Sequence, residues 1–346
     1  MANTTLRDVA REAGLSVAAV GRALGKYGSV SDQARKRVLK AARKIGYEPN
    51  MVARSLRRKI THQIGIIIPD IRNPNFTETV RGVQDAAIEH GYSLMLYNSD
   101  ENKDKEKLYL SRLYARRIDG LIFCPTEGTY NEYLTKIIEK NLPVVIYDRE
   151  IDDIRAPQLV LDNKGGAQQA VNLFVRLGHR RIAFINLSSS VSSLRDRFEG
   201  YKKGLKENGI PFDPKLVRHV GLQQEEICQS IRELGNIRNS PTALVVAENL
   251  LVVQVLLAFK KHKIKIPERI GIIGFGESRW SPLTDPPLTT VSVSTYLTGK
   301  MIFEVLLRRI KELSKNPRGA GAKDLCEKII IPMKLTIRES HGEELR

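Results

Sequence analysis

Along the 346-residue chain, the spacing of apolar positions changes character near residue 61. Before that point it is helical. Leu6, Val9, Ala10 and Ala13 form one stripe, which predicts a helix capped by Thr4 or Thr5 and stopped by Gly14. Ser16 caps a second predicted helix reaching about Leu24, with Val20, Ala23 and Leu24 inward. A third runs from Ser31–Asp32 to Gly46, with Ala34, Val38, Leu39, Ala42 and Ile45 inward. Asn50 is a further cap, ahead of a segment from Met51 to Arg58 too short to hold a helix alone in water.

After residue 61 buried-strand runs alternate with helical stretches. Strands are predicted at Ile64–Pro69, Ser93–Tyr97, Gly120–Cys124 and Val144–Tyr147, with helices at Phe76–His90, Lys103–Arg116 and Tyr130–Lys140 between them. A second series has helices at Gly166–Leu177, Leu194–Asn208, Glu225–Leu234 and Leu251–His262. Its strands fall at Ile182–Ile185, near Val217, at Ala243–Ala247 and at Ile270–Gly274. Such alternation predicts parallel sheets covered by helices, and its length predicts two lobes. The expected architecture is an all-α headpiece followed by an α/β two-lobed domain.

Two short helices joined as tightly as the first pair must cross steeply. They need a small residue at the crossing (Ala10), glycine in the turn (Gly14) and apolar residues at Val9, Leu15, Val20 and Ala23. All are present, which is the requirement of a helix-turn-helix whose second helix enters the major groove. Charge agrees with this. Residues 1–60 carry 14 lysines and arginines against 4 acids, while the other 286 carry 42 against 35. Arg35, Lys36, Arg37, Lys40, Arg43 and Lys44 place much of that excess on the outer face of the third helix. A compact basic module is suited to phosphates, although a solvated surface would have the same composition.

Other classes are disfavoured. No apolar run approaches the roughly 18 residues of a membrane span, and Met1 to Arg11 has no apolar core of a secretory signal, so a cytoplasmic protein is expected. Cys124, Cys228 and Cys326 fit neither a disulfide framework nor a zinc site. Gly271, Gly274 and Gly276 are spaced unlike a dinucleotide turn, and no Walker sequence or nucleophile elbow occurs. The six histidines are scattered. Neither an enzyme nor a bound cofactor or metal is expected. A sugar-uptake receptor would have no use for the basic headpiece.

The run Leu6-Arg7-Asp8-Val9-Ala10-Arg11-Glu12-Ala13-Gly14-Leu15-Ser16-Val17, then Val30-Ser31, Gly46-Tyr47-Glu48-Pro49-Asn50 and Ala53-Arg54-Ser55-Leu56, resembles the lactose-repressor/galactose-repressor family. The resemblance implies a transcription regulator, in the repressor mould, that binds a pseudo-palindromic operator in double-stranded DNA as a homodimer. It implies a helix-turn-helix domain over residues 1–49, a hinge helix over 50–60 and a sensor over 61–340. DNA contacts are then expected from Thr5, Ser16, Val17, Ala18 and Arg22, and from Asn50, Ala53, Arg54 and Leu56 in the hinge. Leu56 matches the leucine that wedges into a minor-groove step, where an apolar side chain unstacks the bases. Val17 and Ala18, short and apolar, suit thymine methyls, while Arg22 has the reach for guanine. Gly21 departs from the family's serine and weakens the helix by roughly 1 kcal/mol relative to alanine.

The resemblance continues through Asp119-Gly120, Asp162-Asn163, Gly178-His179-Arg180-Arg181-Ile182, Arg197, Gly200-Tyr201 and Pro286-Pro287-Leu288-Thr289-Thr290-Val291. It implies a sensor like the periplasmic sugar-binding proteins, closing over a small effector. Asp148-Arg149 follows a predicted strand, where a parallel sheet presents its crevice, and a carboxylate beside a guanidinium suits paired hydroxyls. Arg197 matches a family effector ligand. Phe76 and Trp280 could stack on a sugar face. The residues alone leave a second reading open, with Asp148 and Arg149 paired to each other and Phe76 in the core. Glu248-Asn249 and Gly276-Glu277 stand where the family usually has Asn-Asp and two consecutive acids. With Arg149 and Arg197 facing the cleft, these departures make a sugar acid a reasonable effector beside a neutral sugar. The short, polar C-terminal tail has no leucine heptad, which favours a dimer over a tetramer.

Overall fold

Capping sets where the first helices begin. In a computed structural model that describes residues 4–25, 29–47, 60–129, 131–315 and 327–343, the Asp8 carboxylate accepts hydrogen bonds from the Thr5 amide (2.9 Å) and hydroxyl (2.7 Å). These close the first turn of α1 (Leu6–Ala13), and Gly14 ends it in the left-handed conformation. Ser16 Oγ accepts from the Ala19 amide at 3.2 Å and starts α2 (Val17–Gly25). Ser31 Oγ accepts from Ala34 at 3.3 Å at the head of α3 (Asp32–Lys44). Val9, Ala10, Ala13, Val20, Ala23, Val38, Ala41 and Ala42 are buried together. Leu39, expected inward, is 44% exposed, and Ala41 takes the inner place. The reason is the helical period: Val38, Ala41, Ala42 and Ile45 share a stripe, and Leu39 lies off it. Arg37 and Lys44 tie α3 back to α1, through Ala13 O (2.8 Å) and Glu12 (2.7 Å).

The chain divides into two units, Met1–Thr61 and His62–Arg346. In the second, the first lobe contains β1 (Gln63–Ile68), α4 (Pro74–Glu89), β2 (Ser93–Asn98), α5 (Lys103–Ala115), β3 (Gly120–Phe123), α6 (Asn131–Glu139), β4 (Val144–Tyr147) and β5 (Gln158–Leu161). The other lobe contains α7 (Asn163–Arg176), β6 (Ile182–Leu187), α8 (Ser192–Glu207), β7 (Val217–Val220), α9 (Gln224–Asn236), β8 (Ala243–Val246), α10 (Asn249–His262), β9 (Gly271–Phe275) and β10 (Thr289–Ser292). The chain then returns to the first lobe with α11 (Thr295–Lys315) and β11 (Lys328–Ile331), and crosses again to β12 (Lys334–Thr336).

The sheet orders are β11-β5-β4-β3-β1-β2 and β12-β10-β9-β8-β6-β7. The pairings are parallel, except that β12 runs antiparallel to β10. Strands such as β3, β4 and β8 are buried along their whole length, as helices on both faces require. The elements the pattern does not predict, namely β5, β10, α11, β11 and β12, are those at or after the crossings between lobes. Ile302, Phe303, Leu306 and Leu307 of α11 complete the core of the first lobe beside Val80 and Val83 of α4.

Candidate functional site

On the headpiece, α2 presents Val17 (43% exposed) and Ala18 outward, with Arg22 half-buried one turn beyond Ala18. Thr5 and Ser16 are exposed at the helix starts, each with its hydroxyl already in a cap. These five residues face outward from the first two helices, with Lys36, Lys40 and Arg43 exposed on α3. The expected hinge contacts Asn50, Ala53, Arg54 and Leu56 lie outside the described residues.

In the second unit, residues that follow strand C-termini in both lobes meet in a cleft, the position where parallel sheets bind ligands. A cavity of about 440 Å³ is bounded by Phe76, Glu101, Asp148, Arg149, Arg197 and Glu248, among others. A second, smaller cavity of about 40 Å³ lies against Leu161, Val293 and Met333, where the chain passes between lobes. The two share Asn75, Phe76, Asp148 and Arg197 as walls.

Arg149 and Asp148 are not mutual partners by hydrogen bond, since Nε and Oδ2 stand 3.9 Å apart. Arg149 instead grips Glu101 with both terminal nitrogens (2.8 and 2.5 Å) and donates to Pro125 O at 2.9 Å. Burial opposes its charge, but the Glu101 bonds outweigh that and hold its pKa above the ordinary value. Glu101 was not anticipated, although its place just after β2 carries the same signal as Asp148 after β4. Asp148, held at φ 65°, accepts no hydrogen bond among the described residues and so keeps its acceptor capacity for the cleft. Arg197 is fixed by Asn163 Oδ1 (2.8 Å) and Ala247 O (2.5 Å) and lies 4.8 Å from the centre of the Phe275 ring. Burial lowers its pKa, partly countered by Asp148 and Glu248. Its second terminal nitrogen makes no bond within the described residues.

Glu248 caps α10, accepting from Leu250 (2.6 Å) and Leu251 (3.2 Å), and so starts that helix two residues before its predicted beginning. It also accepts from Asn73 Nδ2 at 3.1 Å, while Asn249 Nδ2 donates to Asn73 Oδ1 at 2.9 Å. These two residues therefore reach across to the first lobe, and Asn249 lines neither cavity. Burial pushes the Glu248 carboxyl above the usual carboxylate range. Glu127 makes a second bridge between lobes, to Ser189 Oγ (3.0 Å) and to Ser190 N (3.1 Å) and Oγ (2.7 Å), and the Ser190 hydroxyl bond lowers its pKa.

One expected effector contact is corrected by the structure. Trp280 does not face the cleft: it packs against the core of the second lobe and lines neither cavity. It immediately precedes the short 3₁₀ turn Ser281–Leu283. Phe76, in contrast, is at once core and cavity wall: 7% exposed, set edge-on against Tyr147 at 6.4 Å. The departure at Gly276 has a steric cause. At φ +88° a Cβ there would stand 2.7 Å from Asn249 Cβ, so glycine permits the approach that the Asn73 bridge needs. Glu277 turns away and is held by Arg338 and Thr290. No helix among the described residues is long and apolar enough to cross a membrane.

Residues 61–339 match the family model described as periplasmic binding proteins and sugar binding domain of the LacI family, and residues 5–50 match that of bacterial regulatory proteins, lacI family. The chain is 33% identical to the ribose operon repressor of Halalkalibacterium halodurans, covering 97% of each chain. It is 32% identical to the HTH-type transcriptional regulator RegA of Clostridium saccharobutylicum, covering 90% of this chain and 95% of that one. In fold it is similar to the lac repressor dimer bound to operator and the anti-inducer ONPF, with TM-score 0.85 at 23% identity over 99% of this chain and 100% of that one.

Proposed function

Because this chain belongs to the LacI family of bacterial regulatory proteins, and is thus a DNA-binding transcriptional regulator rather than an enzyme, we propose that it represses from a pseudo-palindromic operator as a homodimer and responds to a neutral sugar. Two headpieces related by a two-fold axis meet two inverted half-sites. Val17 and Ala18 contact thymine methyls, and Arg22 pairs with a guanine. Arg22→Ala should weaken operator binding by about 1–3 kcal/mol and relax selectivity at one base pair, measured by gel shift on single-base variants. A single half-site bound as tightly as the inverted pair would overturn the dimeric reading.

The observation that carries the effector assignment is that one cavity is lined by both Asp148, whose carboxylate accepts no hydrogen bond among the described residues, and Arg197, whose second terminal nitrogen makes none there. A polyol supplies both complements. A sugar acid fits less well, because Arg149, the other cation expected to receive it, is already engaged by Glu101. Titration calorimetry of the full chain with neutral sugars and their uronic acids tests the choice: binding by an acid and by no neutral sugar would refute it. By linkage the sugar alters operator affinity only as far as it prefers one arrangement of the lobes.

A further inference from the structure

Two helix caps meet across the cleft. Asn73 caps α4 in the first lobe, accepting from the Asn75 amide at 3.0 Å, and Glu248 caps α10 in the second. Each cap fixes its side chain before the lobes meet, so little side-chain freedom is lost when they do. Asn73 then uses both ends of its amide: Nδ2 donates to Glu248 at 3.1 Å, and Oδ1 accepts from Asn249 at 2.9 Å. All three residues are buried, at 7%, 8% and 4% exposure, where such bonds count for more than at a wet surface. Gly276 belongs to the same contact. A Cβ there would meet Asn249 Cβ at 2.7 Å and, in the opposite lobe, Asn75 Nδ2 at 3.0 Å. The departures from the family pattern at 248–249 and at 276 are therefore parts of one contact between lobes, made by the protein's own groups.

We propose that Asn73, Glu248, Asn249 and Gly276 form a latch that holds the lobes closed without an effector, and that this latch sets the operator affinity of the effector-free protein. Glu127 with Ser189 and Ser190, and Arg279 with Glu78 at 3.3 Å, also cross between the lobes. Glu127 and Arg279 are exposed, however, where water competes for the same groups. A contact made in only one arrangement of the lobes acts as a bound ligand does. It biases that equilibrium by its own free energy, and DNA affinity follows as far as operator binding prefers the same arrangement. An effector then finds Asp148 of one lobe and Arg197 of the other already brought together. The latch does not depend on what the effector is, so its failure and the failure of the sugar reading are separable.

Two backbone amides report on closure directly, because each donates to a side chain of the opposite lobe: Glu150 to Ser192 Oγ at 2.7 Å, and Ser190 to Glu127 Oε1 at 3.1 Å. Their hydrogen exchange is followed by mass spectrometry in the full chain with no sugar added. Asn73→Ser keeps the α4 cap but is too short to reach Glu248 and Asn249. Gly276→Ala drives a Cβ into Asn249. In both variants the two amides should exchange about tenfold faster than in the parent, the scale of one hydrogen bond. Asn73→Asp combined with Glu248→Gln turns donor and acceptor end for end, and should exchange at the parent rate. In a gel shift on inverted-repeat DNA selected by the parent from a random pool, Asn73→Ser and Gly276→Ala should change affinity in the same direction, by about fivefold or more. The Asn73→Asp, Glu248→Gln pair should bind as the parent does. Parent-rate exchange in Asn73→Ser and Gly276→Ala, or fast exchange in the exchanged pair, overturns the latch. Faster exchange with unchanged DNA affinity overturns its control of operator binding.

Discussion

In the first unit Val17, Ala18 and the half-buried Arg22 lie within two turns of one helix, and the fully buried residues beneath them are alanines and valines, with Leu6, Leu15, Leu24, Ile45 and Tyr47 packed around these. In the second, Asn73 meets Glu248 across 175 positions of sequence, over cores filled by Phe123, Phe174, Phe184, Tyr201 and Phe303. A helix pair and its reading face can be specified locally, but three short helices bury little apolar area and form a marginal domain. The sensor gains its stability from large lobes. That stability allows it to keep polar groups in a cleft without protein partners among the described residues. The contrast is between a site that is displayed and a site that is enclosed.

The sharpest way to break the contrast is to damage one unit and ask whether the other notices. Val20→Asp would bury a lone carboxylate in the small headpiece core, at a cost of roughly 3–5 kcal/mol, enough to unfold a marginal domain. Operator binding should disappear in a gel shift while calorimetric sugar binding stays unchanged. Loss of both would mean that the units are not independently folded.

The next effect is confined to the cleft. Arg197→Ala removes a charge-assisted hydrogen bond to the sugar, worth about 1.5–3 kcal/mol, so affinity should fall ten- to a hundredfold. Operator affinity without sugar should not change. If the variant binds the same sugar as tightly as the parent, the enclosed site has been assigned to the wrong residues.

The smallest effect separates the two bridges between lobes by pH. Burial raises the Glu248 pKa, so its contribution is fully present below the ordinary value of 4.5 and is lost as pH rises through the folded value. The Ser190 bond lowers the Glu127 pKa, so its contribution is present above 4.5 and is lost as pH falls through the folded value. Relative to the parent, the melting temperature of Glu248→Gln should therefore rise as pH increases, and that of Glu127→Gln should fall. Each change should be about 1–3 °C in a fluorimetric melt, followed from pH 4 to 7 for Glu248→Gln and from pH 3 to 6 for Glu127→Gln. Parallel trends in the two variants would contradict the opposite environments assigned to these carboxylates.

How much of this could be read in advance follows the same division. Helix periodicity, the caps at Thr5, Ser16 and Ser31, and the turn at Gly14 are local facts, and they determined the three helices of the headpiece and the outward placement of Val17 and Ala18; Leu39 was misplaced, by a small error of phase. Alternating strands and helices likewise determined two parallel-sheet lobes, and the position of Asp148-Arg149 after a strand pointed to the cleft edge. What the tertiary structure alone decided is which polar groups remain free there. Arg149 is engaged by Glu101, Glu248 and Asn249 by Asn73, and Trp280 by its own lobe, whereas Asp148 and the second terminal nitrogen of Arg197 have no hydrogen-bond partner among the described residues. The reason is physical: a side chain's chemistry is written in its residue type, but its availability depends on partners brought within 3 Å by a sheet order and a set of lobe crossings that no local period encodes.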